Sequence, residues 1–445
     1  MKQLIGLLLP ILLYACTADP ATESTFAEPV PRPVDTATLA GLPKGIPTYP
    51  ALFEDAINAM IADGRLRESQ AYHRLLQIGR YQTVKERTEL KLKWGLDSLD
   101  ASAAEQLGNH RLEDARTAIL DSARNHQLMI ITEAHTKPEH RVFTRVLLKG
   151  LYARGYRHLG LENILPLPED EAGGMFDTLL HERGYPLITA GSGIYPSEPE
   201  YGNVIREAIR LGFAVFSYER NGSSDSERDR QQAERIIAYQ KAHPGEKIIC
   251  HGGWYHAVEE AIEKYPGSGK YWMAYHYKQM TGDDPLTVYQ DAMNEKIAEE
   301  QRTSPYYDLL QTPENTGKEM PQVLVNDAGK LWSGPQENLP FDIVTVQMPL
   351  GEKNGYVSWQ NWGMDDGGYT EIDVNTPEIF SAEGLTYPLI VAVRGSGESE
   401  LATPVYGRQM NGPRYDGRVK LRRGWYRFVY RDQKGKRFEK VVELQ

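Results

Sequence analysis

Four apolar residues, Leu128 to Ile131, run straight into Glu133 and His135 in the stretch LMIITEAHTKPEH (128–140). A carboxylate and an imidazole at the mouth of a buried strand are unfavourable unless paired or used, because an unpaired buried charge is heavily penalised. Three more stretches repeat the arrangement. HLGLENI (158–164) delivers Glu162, FAVFSYER (213–220) ends in Tyr218, Glu219 and Arg220, and KIICHGG (247–253) carries Cys250 and His251, with His256 just beyond. The segment ERDRQQAERIIAYQKA (227–242) opens with Arg228 and Asp229. Two carboxylates and two imidazoles around one pocket divide naturally into a general base that activates water and an acid that protonates a leaving group. Their reference pKa values, about 4.3 for Glu and 6.5 for His, bracket neutral pH once burial and pairing shift them. Glu133, His135, Glu162 and His256 are also a mixed nitrogen and oxygen set suited to a divalent ion such as zinc, manganese or cobalt.

Each residue also has a plainer reading. A lone histidine such as His135 commonly caps a helix or packs in a core, and Gly252 and Gly253 permit a tight turn beside His251 and His256. Asp229 suits a helix start, where the dipole favours acids, and Arg228 there can be merely solvated. Cys250 reads as a buried strand residue. Glu162, behind mostly apolar neighbours, is the hardest to explain structurally.

The elements that must position these groups alternate in type. Residues 51–127 show apolar spacing of three and four in FEDAINAMIADGRL, QAYHRLLQIGRY and RLEDARTAILDSARNHQ, which predicts helices. Strands at 128–132, 158–164, 213–220 and 247–253 then alternate with helices at 139–155, 201–212, 227–242 and 254–265. That rhythm predicts βαβ units, an α/β fold with a parallel central sheet flanked by helices and ligands bound at the carboxyl ends of its strands. The excursion at 165–200 predicts a lid or pocket wall. Residues 271–384 mix a helical pattern (PLTVYQDAMNEKIAEEQ) with strand-like runs (QVLVND, FDIVTVQMPL). The last sixty residues alternate at period two and predict a small antiparallel β module, with Gln433–Lys436 as a hairpin turn. The expected division is a signal peptide at 1–16, a Pro/Thr-rich tether at 17–50, an α/β domain with helical N-terminal extension at 51–290, a mixed extension at 291–384 and a β domain at 385–445.

With 445 residues, 40% apolar and 25% charged, the chain is an ordinary globular protein of two or three domains, neither disordered nor polytopic. A net charge of -11 argues against a nucleic-acid partner, which would need a basic face. The start, MKQLIGLLLPILLYACTADP, has one early lysine and an apolar run too short to span a bilayer, the pattern of a secretion signal. Leu13-Tyr14-Ala15-Cys16 is similar to a bacterial lipobox, which implies cleavage before Cys16, lipidation of its thiol and a cell-envelope location. Thr17, rather than Asp, points to the outer membrane in a Gram-negative host.

Together the motifs resemble the superfamily of erythromycin esterases, ChaN-type haem-binding lipoproteins and TIKI/TraB proteins. The resemblance spans about residues 115–290 and rests on Thr132-Glu133-Ala134-His135, Glu162 in LGLEN, Arg228-Asp229 followed by Ala233, and Gly253-Trp254-Tyr255-His256. Thr132 stands where the family has glycine, and the short Glu-to-His spacing is closer to the ChaN and TIKI type. The esterases imply hydrolysis of an ester or amide in a small molecule or peptide, with His135 as base, Glu133 and Glu162 orienting it, His256 stabilising an oxyanion and Arg228 pairing a carboxylate or substrate. TIKI-like members imply a metal-dependent variant. ChaN-like members imply a haem-binding lipoprotein without turnover, for which Tyr195, Tyr201 and Tyr218 are candidate ligands. A third reading makes the β module a docking surface for a partner or glycan, with Trp425 and Tyr426 exposed. The enzyme reading is favoured, because two acids beside two histidines exceed what haem ligation requires.

Overall fold

The computed structural model describes residues 48–91, 110–167, 173–220, 225–260, 271–293, 315, 318–333, 341–348, 352–353, 355–365, 367–381 and 384–445. The signal peptide, Cys16 and nearly all of the tether therefore lie outside the described residues. So do residues 261–265 and 294–301 of two expected helices.

Strand β2 (Leu128–Glu133) shows why the sheet is covered on both faces. All six of its residues are buried, and they alternate between two cores. Met129 and Ile131 face one, Leu128 and Ile130 the other, as the period of two requires. The sheet has eight strands: β1 (His110–Asp114), β2, β3 (Tyr156–Leu161), β4 (Ala214–Ser217), β5 (Lys247–Gly253), β6 (Leu286–Met293), β7 (Gln322–Asn326) and β8 (Ile343–Val346). Their order is β1-β7-β8-β6-β2-β5-β3-β4. The run from β8 to β4 is parallel, and β7 lies antiparallel between β8 and β1 at one edge.

Helices α1 (Glu54–Ala62), α2 (Glu68–Gln77), α3 (Tyr81–Lys91), α4 (Ala115–Ser122), α5 (Pro138–Ala153) and α6 (Pro199–Leu211) lie on the first core's side. Helices α7 (Asp225–Ala242) and α8 (Met273–Thr281) cover the second. Helix α6 has legible ends. Glu198 accepts hydrogen bonds from the Glu200 and Tyr201 amides, Pro199 opens the first turn, and Gly212 closes the helix at φ +92°.

Three expectations are corrected. Arg111–Asp114, expected to be helical, form β1, which pairs with β7 from Leu112↔Leu324 outward, and the helix begins only at Ala115. Leu286–Met293 form β6 rather than a helix. Thr287, Val288 and Tyr289 favour a pleated surface, and the strand is buried between β2 and β8, so its pattern is continuous rather than alternating. The helix expected from Trp254 is one 3-10 turn, Trp254–Ala257.

The C-terminal residues form a small antiparallel sheet in the order Tyr406–Met410, Leu389–Gly395, Gly424–Asp432, Arg437–Leu444. Its last hairpin turns at Gln433–Lys436, with Arg431 opposite Arg437. This sheet packs on the N-terminal helices. The Gln409 amide donates to the Ile78 carbonyl at 2.8 Å, and the buried Arg408 guanidinium reaches Gly79 and Gln360. A Cβ at Gly79 would fall 2.3 Å from Arg408 Cδ, so the glycine is what permits the approach.

Candidate functional site

Parallel pairing brings the strand ends into line. Glu133 at the end of β2 is level with Gly253 of β5, and His251 of β5 is level with both Ile131 and Leu161. Glu162 follows β3 directly, and Tyr218 and Glu219 follow β4. The groups read from the sequence therefore meet at one edge of the sheet, and they do so as two linked clusters.

The first cluster is built on Glu133, whose carboxylate is fully buried. Arg141 from α5 clamps it with two hydrogen bonds, Nε to Oε2 at 2.6 Å and Nη2 to Oε1 at 2.9 Å. His135 Nδ1 lies 2.8 Å from Oε1, and His251 Nε2 lies 3.0 Å from Oε2. Burial alone would raise the Glu133 carboxyl, but Arg141, His135 and His251 hold it well below the ordinary carboxylate range. Arg141 is itself fully buried and extends to Glu198, the residue that caps α6, at 3.0 Å. A permanently ionised Glu133 makes His135 Nδ1 a donor, which leaves Nε2 as the basic nitrogen of the neutral ring. The His135 side chain keeps 13% of its surface exposed, whereas Glu133 and Arg141 keep none.

The second cluster is built on Glu162. Arg228 Nη2 donates to its Oε1 at 2.6 Å, the Gly253 amide donates to Oε2, and His256 Nε2 lies 3.2 Å from Oε1. His256 Nδ1 lies 2.5 Å from Asp229, which also accepts from the Met273 amide. Burial would lower the His256 pKa, but Asp229 and Glu162 on either side push it up to about 10. The same interactions, with Arg228, keep the Glu162 carboxyl well below the usual range despite its burial. Arg228 is also bidentate to Glu219, at 2.9 and 2.7 Å. Its Nη1 has no partner among the described residues, and its side chain is 29% exposed.

Gly253 joins the clusters. A Cβ there would lie 2.6 Å from His135 Nε2 and 3.3 Å from Glu162 Oε2, so the imidazole and the carboxylate both pack against this glycine. The walls are aromatic: the Tyr195 and Trp254 rings stand 4.7 and 4.9 Å from the His135 ring. Tyr195 comes from the 165–200 excursion. Trp254 is 38% exposed, adopts φ +29°, and donates from its indole to Asp291.

Several expected roles change. Both ring nitrogens of His256 face carboxylates, so this side chain cannot also serve an oxyanion. The four residues read as a metal set are divided between two clusters, each neutralised by an arginine. Among the described residues no group of His, Cys, Asp and Glu has a metal-holding arrangement. The tyrosines fit haem ligation poorly. Tyr201 and Tyr218 are fully buried, burial raises all three phenols, and the Tyr218 hydroxyl donates to the His251 carbonyl. Cys250 is buried and its thiol is pushed up by burial, the opposite of an activated nucleophile. Trp425 is 49% exposed, while Tyr426 packs partly into the β module's core.

Three contributors escaped the sequence reading. Arg141 sits on α5's apolar face, with Thr144 and Leu148 three and seven positions on, a cue that it is buried and therefore paired. Glu198 precedes Pro199 as a cap residue does. His73 of α2 packs on Tyr195 at 4.3 Å, and burial, with Arg141 and His135 nearby, lowers its pKa to about 3; nothing local in the sequence marks it.

No family model matches the chain, and no curated protein does. Solved structures with similarity include the type III effector HopBA1, at 13% identity over 54% of this chain and 97% of that one, TM-score 0.30. The C-terminal region of Pasteurella multocida toxin, titled for a thiol-protease-like catalytic triad, matches at 12% identity over 48% and 30%, TM-score 0.27. RRSP, a MARTX toxin effector domain from Vibrio vulnificus, matches at 12% identity over 62% and 49%, TM-score 0.27. The chain spans less than half of each of these last two structures. Likeness at this level carries no conclusion about what this chain does.

The His256 cluster has a pH signature. Its folded pKa, about 10, lies above the unfolded value of about 6.5, so its contribution to stability is complete below pH 6.5 and is lost as pH rises toward 10. Urea unfolding across pH 6.5 to 10 should show stability falling by up to about 1.4 kcal/mol per pH unit, with a flatter profile in His256→Gln. An unchanged slope in the variant would remove the imidazolium from the account.

Proposed function

We propose that the chain is a hydrolase that cleaves an ester or amide by Glu/His acid–base chemistry. The observation that carries this reading is His135: Nδ1 fixed on a buried, ionised Glu133, and a ring that stays 13% exposed where Glu133 and Arg141 keep no exposed surface. A water at the exposed side of this ring loses a proton to Nε2 as its oxygen attacks the substrate carbonyl carbon. Glu133 steadies the imidazolium that forms, and Arg228, the most exposed cation of the second cluster, is the group assigned to offset the developing oxyanion. The tetrahedral carbon then expels its leaving group, which takes the proton back from Nε2 as the ester or amide bond breaks. Glu162 has a positioning role: it holds Arg228, His256 and the Gly253 amide in place. The resemblance to the erythromycin esterase, ChaN and TIKI/TraB superfamily supports the assignment of His135 as base with Glu133 orienting it, and differs over His256, to which it gives the oxyanion. The cell-envelope location belongs to the proposal and rests on the lipobox-like residues 13–16. Among the described residues no helix is long and apolar enough to cross a membrane.

In a broad screen of model esters and amides, His135→Ala should lower kcat/KM by about 10²- to 10⁴-fold while the fold is retained by circular dichroism. Glu162→Gln should lower kcat more than it raises KM, as expected of a positioning residue. Hydrolysis that persists undiminished in both folded variants would rule the site out. In bacterial expression, metabolic labelling with palmitate should mark the wild-type chain and not Cys16→Ala; equal labelling would dismiss the anchor.

A further inference from the structure

A cavity of about 240 Å³ lies between α6 and the C-terminal strands, lined by none of the residues of the two clusters above. Five cationic side chains line it: Arg145 from α5, Arg206 and Arg210 from α6, and Lys420 and Arg422 from the strand Arg418–Arg422. Only two carboxylates, Glu200 and Glu207, face them. Glu207 is already taken, by Arg210 at 2.6 and 2.9 Å and by Arg422 at 3.3 Å. Burial would raise its carboxyl, but Arg210, Arg422 and Arg145 hold it below the ordinary value. Glu200 is engaged by the neutral amides of Gln360 at 2.7 Å and Asn203 at 3.3 Å.

Lys420 is paired with Asp365 at 3.1 Å, but the remaining cations are not all matched by anions. Among the described residues Arg145 donates to main-chain carbonyls alone, those of Gln360 at 3.1 Å and Trp362 at 3.4 Å. Arg206 holds Glu398 in a bidentate pair at 3.0 and 2.9 Å, yet its Nη1 is buried and has no hydrogen-bond partner among the described residues. A buried guanidinium N–H without an acceptor is rare enough in folded proteins to need an explanation. Arg206 lines the cavity, whose wall carries five cations against two carboxylates.

We propose that this cavity binds a small phosphate-bearing anion, either inorganic phosphate or a soluble phosphate monoester. A dianionic phosphate supplies several acceptor oxygens to forked guanidinium donors, the pairing for which arginine is best suited. The volume falls below the roughly 300 Å³ at which drug-sized pockets begin, so the ligand is small or enters only by its phosphate end. Tyr369, whose hydroxyl receives an Arg422 hydrogen bond at 2.6 Å and whose ring lies 4.6 Å from that guanidinium, forms a ready wall for an organic substituent.

Isothermal titration of the full chain with inorganic phosphate, and separately with glycerol 3-phosphate, tests this against a chloride control of equal ionic strength. The expected result is saturable binding of at least one of them that chloride does not reproduce. Arg145→Gln and Arg422→Gln should each weaken it by about tenfold or more, the loss of one charge-assisted contact, while Arg145→Lys retains most of it. Thermal melting of each variant separates lost binding from lost fold. Tighter binding of glycerol 3-phosphate would assign the site to monoesters, and equal or weaker binding to phosphate itself. No saturation by either anion, the same heat from chloride, or unchanged affinity in both folded glutamine variants would overturn the proposal.

Discussion

The buried ion pair of Glu133 and Arg141 is the constraint on which the rest of the site depends. Neither side chain has any exposed surface. Two desolvated charges are tolerable only with close geometry and every remaining lone pair or proton engaged. The geometry is close, since Arg141 donates to both carboxylate oxygens and a histidine ring nitrogen lies within 3.0 Å of each. Removing either partner would strand a buried charge, typically a loss of about 3–5 kcal/mol. The pair also spans the architecture, because Glu133 ends β2, Arg141 lies in the helix that follows, and its far side reaches the cap of α6. Assembly of the sheet and first helix layer thereby fixes the orientation of His135.

The second cluster solves the same problem differently. Glu162 and Asp229 enclose His256, which becomes a fixed cation rather than a titrating group at neutral pH. Arg228 closes the cluster from the exposed side and is the least buried of its charges. Glycine at 253 is the shared element. Any side chain there would displace the His135 imidazole or the Glu162 carboxylate, so the glycine that looks like turn chemistry is also what lets the two clusters pack together.

Much of this was legible in the sequence, for identifiable reasons. Parallel strands buried on both faces read as short apolar runs, and ionisable groups at their carboxyl ends stand out against them. Hence β2 to β5 and the residues Glu133, Glu162, His251 and His256 could be located. β6 was misread because a strand buried on both sides has no period of its own, and β1 because four residues of an edge strand preceded a true helix. At the site, which groups sit together was readable, but their division of labour was not. Partners such as Arg141, Glu198 and His73 come from helices whose approach depends on tertiary packing, and those partners decide that His256 is consumed internally while His135 faces outward.

The central claim is that Glu133 fixes His135 with Nδ1 as the donor and Nε2 as the basic nitrogen. The most direct measurement is two-dimensional ¹⁵N–¹H NMR of the imidazoles, which distinguishes the tautomers of the neutral ring. The account predicts the Nδ1–H form for His135, and loss of that preference in a folded Glu133→Gln variant. A neutral His135 found with its proton on Nε2 would contradict it.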